Sequence, residues 1–408
     1  MKKFFLIIFY MVLIIYSLES LLLLFDQKKG FSSDDLKNKR IEIAKKKGVE
    51  FDTRSPEEAF LDFSKKDVNL KPKFFYSPIF RFSSIFQNAR NNGDIIPFRG
   101  PVDSRTLSCA EEGKYKLSNS DKFGFKNFNS IYKKKINTIL LGDSLAEGDC
   151  QSIKNDIAGN LTREGFTTVN FGVTGTSVLV ALGIMREFGG EIRPKNYVFL
   201  YSEENDLEGL NWSKKDSHLM KYLNGEYNIN YINRYDEIEL FLTSSSKETI
   251  SRLNNRNKNK KLNSKSNFEI IKNNLIDILE IKRIKKFIRY KIFKKKYLNT
   301  DLDLFFLTIK KMDEEAKKNN SKFIFVYLPS STRYFFKTSE NSPKINEQIN
   351  HKKIILDKLE NMGVSIIDIT LFLEKAPSVK PYFSLGYFGH FNTRGYKKIA
   401  EMISFKLK

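Results

Sequence analysis

One serine follows directly on an apolar segment, at a position where its hydroxyl could act as a nucleophile. The chain reads Ile-Leu-Leu over 139–141 and continues as Gly-Asp-Ser-Leu over 142–145. A buried strand that ends in this way would hold the Ser144 hydroxyl exposed and rigid. Gly142 and Gly148 permit the tight backbone geometry that a residue with a Cβ resists. A helix that follows would direct its free N–H groups toward Ser144, although the same residues also fit an ordinary strand-to-helix turn.

Three later segments place further polar residues after apolar stretches. Asn-Phe-Gly-Val-Thr-Gly ends at Gly175, and an apolar run over 197–201 is followed by Ser-Glu-Glu-Asn, which ends at Asn205. Near the carboxyl end, Gly-His-Phe-Asn contains His390 and opens a terminal helix pattern. A serine, a glycine, an asparagine and a histidine therefore occur in this order, each beside a predicted element.

These four segments resemble, in order, the four sequence blocks of the SGNH (GDSL-type) hydrolase family, over roughly residues 136–212 and 300–408. The resemblance implies a serine hydrolase in which Ser144 is the nucleophile and His390 the general base. It also implies an oxyanion hole formed by the backbone N–H groups of Ser144 and Gly175 and the side-chain amide of Asn205. Such chemistry needs an imidazole to take the serine proton and fixed donors for the tetrahedral oxyanion.

The chain departs from the family pattern at the residue that orients the histidine. The family usually has an Asp three residues before the His, and Tyr387 stands there. A tyrosine cannot supply the buried carboxylate of a triad. Either Ser144 and His390 act as a dyad, or a carboxylate comes from elsewhere, with Asp368 and Glu374 as the candidates. The other two histidines, at 218 and 351, lie in polar, lysine-containing stretches, which favours surface positions.

The amino terminus predicts a signal anchor. Lysines at positions 2 and 3 precede a run over 4–25 whose only charge is Glu19, and this length suits a bilayer span. A cleaved signal peptide is the alternative, but no small-residue cleavage site follows the run. The positive-inside rule then places the body on the periplasmic or extracellular side. With the resemblance to the SGNH family, this predicts a single-pass bacterial protein of the inner (cytoplasmic) membrane.

The two cysteines of the chain, Cys109 and Cys150, could pair in such an oxidising compartment. A disulfide between them would join the amino-terminal region to the loop behind Ser144, whereas two free buried cysteines are the alternative. Two cysteines and three scattered histidines give no metal-ligand spacing. We expect no metal and no cofactor.

The net charge of +22 over 408 residues is concentrated in one segment. Residues 247–296 contain 17 Lys and Arg against 4 Asp and Glu. Within it, 268–297 has apolar residues at helical spacing, which fits a basic amphipathic helix on anionic lipid headgroups or a helix packed on the protein with its lysines in solvent. The predicted anchor and the lack of a recognisable reading motif argue against nucleic acid as a partner.

The sequence predicts three regions: a cytoplasmic tip and anchor over 1–29, a stalk and irregular extension with short strands over 30–130, and a hydrolase-like domain over 131–408 with a basic insertion at about 241–300. From 136 onward, predicted strands alternate with predicted helices, which indicates an α/β fold with a parallel sheet covered on both faces. The resemblance implies a three-layer α/β/α, flavodoxin-like arrangement. The predicted strands cover 136–141, 167–171, 197–201, 322–328 and 364–369, and the helices lie near 153–164, 176–188, 301–319, 343–361 and 392–406.

Three functions fit these residues. The first is a serine esterase that removes acyl groups from an exported glycan or lipid. The second is an O-acyltransferase that uses the same Ser–His chemistry on an envelope polysaccharide. The third is a catalytically silent envelope-binding protein, which Tyr387 supports.

Overall fold

The computed structural model describes most of the chain, namely residues 2–26, 33–73, 95–262, 276, 278–282, 284–285, 301–336 and 343–408. The chain divides into two compact units. The larger unit consists of Arg40–Arg252 and Asp301–Lys408, and the smaller unit consists of Met1–Lys39 and Leu253–Thr300. All residues of the candidate site described below belong to the larger unit.

Strands in the described residues form two sheets. In chain order they are β1 (Leu70–Lys71), β2 (Arg105–Leu107), β3 (Leu117–Asn119), β4 (Thr138–Gly142), β5 (Thr168–Asn170), β6 (Asn196–Ser202), β7 (Lys322–Leu328) and β8 (Ser365–Asp368). The first three form a small sheet in which β1 and β2 are parallel and β2 and β3 are antiparallel.

The remaining five strands form one parallel sheet with the order β5-β4-β6-β7-β8. Numbered along the chain, this order is 2-1-3-4-5, which is the flavodoxin-like, doubly wound arrangement. The predicted parallel sheet is therefore confirmed, and every strand predicted from 136 onward is present, with ends shifted by a few residues.

Helices of the larger unit cover both faces of this sheet. In chain order, the helices that both units form in the described residues are α1 (Lys2–Asp26), α2 (Ser33–Lys46), α3 (Pro56–Ser64), α4 (Ser144–Glu147), α5 (Ile157–Arg163), α6 (Val178–Ile192), α7 (Asp206–Ser213), α8 (Ser217–Lys221), α9 (Tyr235–Leu262), α10 (Leu302–Lys318), α11 (Thr332–Phe335), α12 (Pro343–Asn361), α13 (Thr370–Lys375) and α14 (Thr393–Leu407).

Alternation along the central strands produces the two apolar layers. All residues of β4 and β6 are buried, as expected for strands covered on both faces. Phe199 and Tyr201 of β6 pack in the cluster that contains α6 and α10, whereas Val198 and Leu200 pack in the cluster that contains α5 and α14. Successive side chains of a strand point to opposite faces, so the predicted three-layer α/β/α arrangement follows.

The extension that precedes the sheet is part of the larger unit from Arg40 onward. Helix α2 ends within this extension, and β2 and β3 are short strands of the kind expected for this region. Residues 74–94 lie outside the described part of the chain. The extension matters for function because it supplies two residues of the candidate site.

The smaller unit contains α1, and it provides a hydrogen-bond partner for Glu19, the one charged residue in the apolar amino-terminal run. Glu19 is fully buried and accepts a hydrogen bond from the backbone N–H of Ile284 at 2.8 Å. Across the part of the chain that the structure describes, no helix combines the length and apolarity needed to cross a bilayer. The predicted transmembrane helix over 4–25 is therefore not supported. Most of the basic stretch 268–297 lies outside the described residues, so its predicted membrane contact stays a prediction.

Candidate active site

Ser144 is the first residue of the short helix α4, at the carboxyl end of the central strand β4. Gly142 has a φ of +140°, and a Cβ there would lie 2.6 Å from the carbonyl oxygen of Leu200 on β6. Only glycine fits both conditions. The Asp143 carboxylate accepts a hydrogen bond from the Leu145 N–H at 2.9 Å and so caps α4. The local sequence thus forces a sharp turn that presents the Ser144 side chain at the sheet edge.

His390 reaches this hydroxyl from the loop that precedes α14. Its Nε2 lies 3.0 Å from Ser144 Oγ, which is hydrogen-bond distance. The loop is fixed by the Ser384 N–H, which donates to the His390 carbonyl at 3.0 Å, and by Asn392, whose side chain caps α14. Ser144 and His390, which the sequence analysis assigned together, are therefore brought together by the fold.

The carboxylate that faces the other imidazole nitrogen belongs to Glu111, in the extension that precedes the sheet. Glu111 Oε2 lies 3.3 Å from His390 Nδ1 and accepts the backbone N–H of His390 at 2.7 Å. The second carboxylate oxygen, Oε1, accepts a hydrogen bond from Arg40 at 2.8 Å. Ser144, His390 and Glu111 thus form a continuous hydroxyl–imidazole–carboxylate chain, which is the arrangement that activates a serine.

Neither Asp368 nor Glu374, the two carboxylates predicted from the sequence as possible orienting acids, faces His390. The prediction that one of them orients the imidazole is therefore wrong. Asp368 forms an ion pair with Lys352 at 2.9 Å and accepts hydrogen bonds from the N–H and hydroxyl of Thr370. Glu374 is exposed on α13. Tyr387, three residues before the histidine, packs its ring against Phe335, with ring centroids 5.8 Å apart. The sequence position of the family's usual acid is therefore occupied by a packing residue.

Charge and burial act in opposite directions on His390. Burial by itself lowers the pKa of the imidazole, but the charge and hydrogen bond of Glu111, with the charges of Asp149 and Asp143, raise this pKa to about 9. Burial also raises the pKa of the Glu111 carboxyl, yet the positive charges of His390 and Arg40 hold that pKa below its ordinary value. The two groups therefore stabilise each other as an imidazolium–carboxylate pair, which is the pair that forms when the imidazole accepts the serine proton.

The predicted oxyanion-hole residues lie on the loops that adjoin β4. Val173 N–H and Thr176 Oγ1 both donate to the Gly142 carbonyl, at 3.0 and 3.1 Å, and this ties the Gly175 loop to the nucleophile turn. Gly175 has a φ of +77°. Gly142 of β4 pairs in register with Leu200 of β6, so the segments that leave both strands begin at the same sheet edge.

Asn205 follows β6 and precedes α7, as the sequence pattern predicts. Burial raises the pKa of the Asp143 carboxyl, and hydrogen bonds from the Leu145 backbone and the Asn205 side chain partly offset this rise. The contact with Asp143 holds the Asn205 amide beside the nucleophile turn.

A disulfide joins Cys109 to Cys150, with Cα atoms 4.9 Å apart. Cys150 is six residues after Ser144, and Cys109 is two residues before Glu111. The Cys150 Sγ lies 3.7 Å from His390 Nδ1. Ser108 donates a hydrogen bond to Asp149, which adds a second link between the same two segments. The disulfide therefore holds the segment that carries Glu111 against the catalytic loop.

Donor atoms of Cys109, Glu111, Cys150 and His390 all lie within 4.8 Å of one another. A zinc site of this composition would require thiolate ligands. Because the two sulfur atoms are bonded to each other, neither is a thiolate, and the group does not have the ligands of a zinc site.

Sequence reasoning missed Glu111 and Arg40. The signal for Glu111 was present, because a bond between Cys109 and Cys150 would bring the residues that flank Cys109 close to the nucleophile turn. No comparable signal in the sequence marks Arg40, which is one of several basic residues on α2.

No family model matches the chain, and no curated protein matches it. Among solved structures, similarity is found to a GDSL-like lipase from Bacteroides thetaiotaomicron, at 12% identity over 67% of this chain and 89% of that chain, with a TM-score of 0.34. An acetylxylan esterase from Geobacillus stearothermophilus is similar at 12% identity over 67% of this chain and 96% of that chain, with a TM-score of 0.33. At this level of identity and superposition, function has to be argued from the chain's own residues.

Proposed function

We propose that the protein is a serine ester hydrolase that removes acyl groups from hydroxyls by way of an acyl-enzyme intermediate. The observation that carries this proposal is the continuous chain of contacts from Ser144 Oγ to His390 Nε2 and from His390 Nδ1 to Glu111. A hydroxyl beside an imidazole that is itself oriented by a carboxylate is the arrangement of an activated nucleophile.

In the first half of the reaction, Ser144 Oγ attacks the ester carbonyl carbon while His390 Nε2 takes the hydroxyl proton. The carbonyl oxygen becomes an oxyanion, which the N–H groups of Ser144 and Gly175 and the amide of Asn205 stabilise. Glu111 stabilises the imidazolium that forms and keeps its Nδ1 proton on the side away from Ser144. The proton on Nε2 then passes to the alcohol oxygen as the carbon–oxygen bond breaks.

In the second half, a water molecule replaces the alcohol. His390 accepts a proton from this water, the resulting hydroxide attacks the acyl carbon, and the oxyanion forms again in the same site. Collapse of the intermediate releases the carboxylic acid and returns the proton to Ser144 Oγ. His390, Glu111 and the oxyanion-hole groups thus act in the same way in both halves, whereas Ser144 is the nucleophile in the first half and the leaving group in the second.

The proposed substrate is an O-acylated glycan or lipid outside the cytoplasm. The Cys109–Cys150 disulfide supports such a location, because disulfides persist in oxidising compartments such as the bacterial periplasm. His390 has 24% of its side-chain surface accessible, so the reacting groups can be reached from solvent.

The sequence also fits two other functions. The silent envelope-binding protein was suggested by Tyr387, and Glu111 argues against it because a carboxylate occupies the orienting role by another route. An O-acyltransferase would need the same three residues, with a sugar hydroxyl in place of water in the second half of the reaction.

The test compares the purified full-length chain with Ser144→Ala on p-nitrophenyl acetate. A matched control is Ser64→Ala, since within the described part of the chain the Ser64 hydroxyl donates to the carbonyl of Leu61 on its own helix. We expect the wild type and Ser64→Ala to hydrolyse the ester and to be labelled by a fluorophosphonate, and Ser144→Ala to do neither. Equal hydrolysis by all three proteins would overturn the proposal. Mass spectrometry of a polysaccharide acceptor added to the same reaction would reveal acyl transfer.

A further inference from the structure

Arg40 binds both the catalytic carboxylate and the loop that carries His390. The guanidinium Nη2 donates to Glu111 Oε1 at 2.8 Å and to the backbone carbonyl of Phe388 at 3.0 Å. Phe388 is two residues before His390, and 348 residues separate it from Arg40 in the chain. A single side chain from α2 therefore links the segment that carries Glu111 to the loop that carries His390.

The two oxygens of Glu111 are used for different partners. Oε2 accepts from His390, through its backbone N–H, and faces the imidazole Nδ1, while Oε1 accepts from Arg40. Both partners are needed to fix one rotamer, because a carboxylate held at only one oxygen can rotate about its last side-chain bonds. With 18% of the Arg40 side chain and 12% of the Glu111 side chain exposed, this ion pair is largely removed from solvent screening.

Two neighbouring contacts indicate that the α2 segment is closely fitted to the histidine loop. Gly389 has a φ of +140°, and a Cβ built on it would lie 2.8 Å from Arg40 Nη2 and closer still to the Glu111 carboxylate. Only a glycine allows the loop to approach the ion pair this closely. Lys47, just beyond α2, donates to the carbonyl of Leu385 in the same loop at 2.8 Å.

We propose that Arg40 is a positioning residue of the catalytic centre, which holds Glu111 in the rotamer that faces His390. This inference rests on the proposed ester hydrolysis. It makes the amino-terminal extension, through Arg40 and Glu111, a required part of the active site. Arg40 contacts neither Ser144 nor the oxyanion-hole residues, so its effect on the reaction passes through Glu111 and the histidine loop.

The pKa of His390 tests the role of Arg40 directly. A positioning role and a simple charge effect of Arg40 predict opposite changes in this pKa when Arg40 is removed. The charged groups that face the imidazole are Glu111 from the extension, Asp143 from the nucleophile turn, and Asp149 from the loop after α4. If Arg40 holds Glu111 in place, its removal weakens the largest attraction on the imidazolium, and the pKa of His390 falls. If Arg40 were only a nearby positive charge, its removal would raise that pKa.

The kinetic test uses Arg40→Met in the full-length chain, with Lys46→Met as the control. Lys46 lies on the same helix, is exposed, and among the described residues pairs with Glu42. We expect Arg40→Met to lower kcat by roughly 10- to 100-fold with little change in KM, because a small displacement of a catalytic group is costly to the chemical step and not to binding. Arg40→Lys should recover part of the loss, since it keeps the charge without the planar fork.

A double-mutant cycle then asks whether Arg40 acts through Glu111. In a Glu111→Gln background, Arg40→Met should cost less than threefold, since the group that it positions is already disabled. An equal loss in both backgrounds would overturn the proposal, as would an unchanged kcat in the single variant.

NMR titration of the His390 imidazole needs no substrate, so it separates this inference from the proposed function. Signals are assigned by comparison with His390→Gln. We expect the titration midpoint of His390 to fall in Arg40→Met and to stay unchanged in Lys46→Met. A rise or no change in Arg40→Met overturns the positioning role whether or not the protein hydrolyses esters. A fall in a protein that hydrolyses no ester supports the positioning role and contradicts the proposed function.

Discussion

Glu111 Oε2 lies 3.3 Å from His390 Nδ1 and accepts the His390 backbone N–H at 2.7 Å, although 279 residues separate the two in the chain. The backbone contact fixes the loop and the side-chain contact fixes the imidazole, so one carboxylate controls both the position and the tautomer of the base. This double role gives Glu111 more influence on the site than the contact distance to the ring alone would indicate.

Replacement of Glu111 by Gln should lower kcat by roughly 100- to 10,000-fold, because a neutral amide neither stabilises the imidazolium nor selects the tautomer that accepts a proton from Ser144. The measurement is steady-state hydrolysis of p-nitrophenyl acetate. Asp368→Asn and Glu374→Gln should keep wild-type kcat. Glu112→Gln should also keep wild-type kcat, because Glu112 pairs with Lys116 and Gln151 and not with His390. A loss in Asp368→Asn as large as that in Glu111→Gln would contradict the assignment.

The pH dependence of kcat/KM follows from the raised pKa of His390. Only the neutral imidazole accepts the serine proton, so activity should rise with pH, reach half of its limiting value near the pKa of about 9, and level off above that pH. In Glu111→Gln the main influence that raises the pKa is gone, and the midpoint of the acid limb should move down toward the ordinary histidine value of about 6.5 or below it. The pH profiles of the wild type and Glu111→Gln are measured with a fluorogenic ester. If both had the same midpoint, Glu111 would not set the pKa of His390.

Loss of the Cys109–Cys150 bond should affect both stability and rate. The bond closes a segment with a sequence separation of 41 residues, and the chain-entropy model assigns such a loop about 4 kcal/mol of unfolding free energy. Urea unfolding of Cys109→Ala/Cys150→Ala should report a decrease of this order. Under conditions where the variant stays folded, kcat should also fall, because the segment that carries Glu111 is released. Full activity in the folded variant would mean that Arg40 and the Ser108–Asp149 contact hold Glu111 without the bond.

Asn205→Ala should lower kcat by roughly 100- to 1,000-fold with a small change in KM, as expected for removal of one oxyanion donor. Asn233→Ala is the matched control, because the Asn233 amide is exposed and its hydrogen bond, in the residues that the structure describes, is to Asn230. Circular dichroism melting of both variants checks that the overall fold and its stability are retained. A change confined to KM would place Asn205 in substrate binding instead of transition-state stabilisation.

The sequence by itself determined the parallel sheet and the positions of Ser144, Gly175, Asn205 and His390 at element boundaries. These features are local. An apolar run over 139–141 followed by a glycine must end a buried strand in a tight turn, and alternation of strands and helices leaves few arrangements for the sheet. Parallel strands share one carboxyl edge, so residues that follow them converge without any need to know the rest of the fold.

The tertiary structure alone decided which carboxylate orients His390 and which side chain holds that carboxylate. Glu111 and Arg40 come from the extension, outside the alternating pattern. The nearness of Glu111 to Cys109 is the one local sign of its position, and nothing in the local sequence distinguishes Arg40 from other basic residues. Their roles arise from contacts between segments 279 and 348 residues apart. Such contacts depend on how loops and helices pack after the sheet has formed, and local propensity carries no information about that packing.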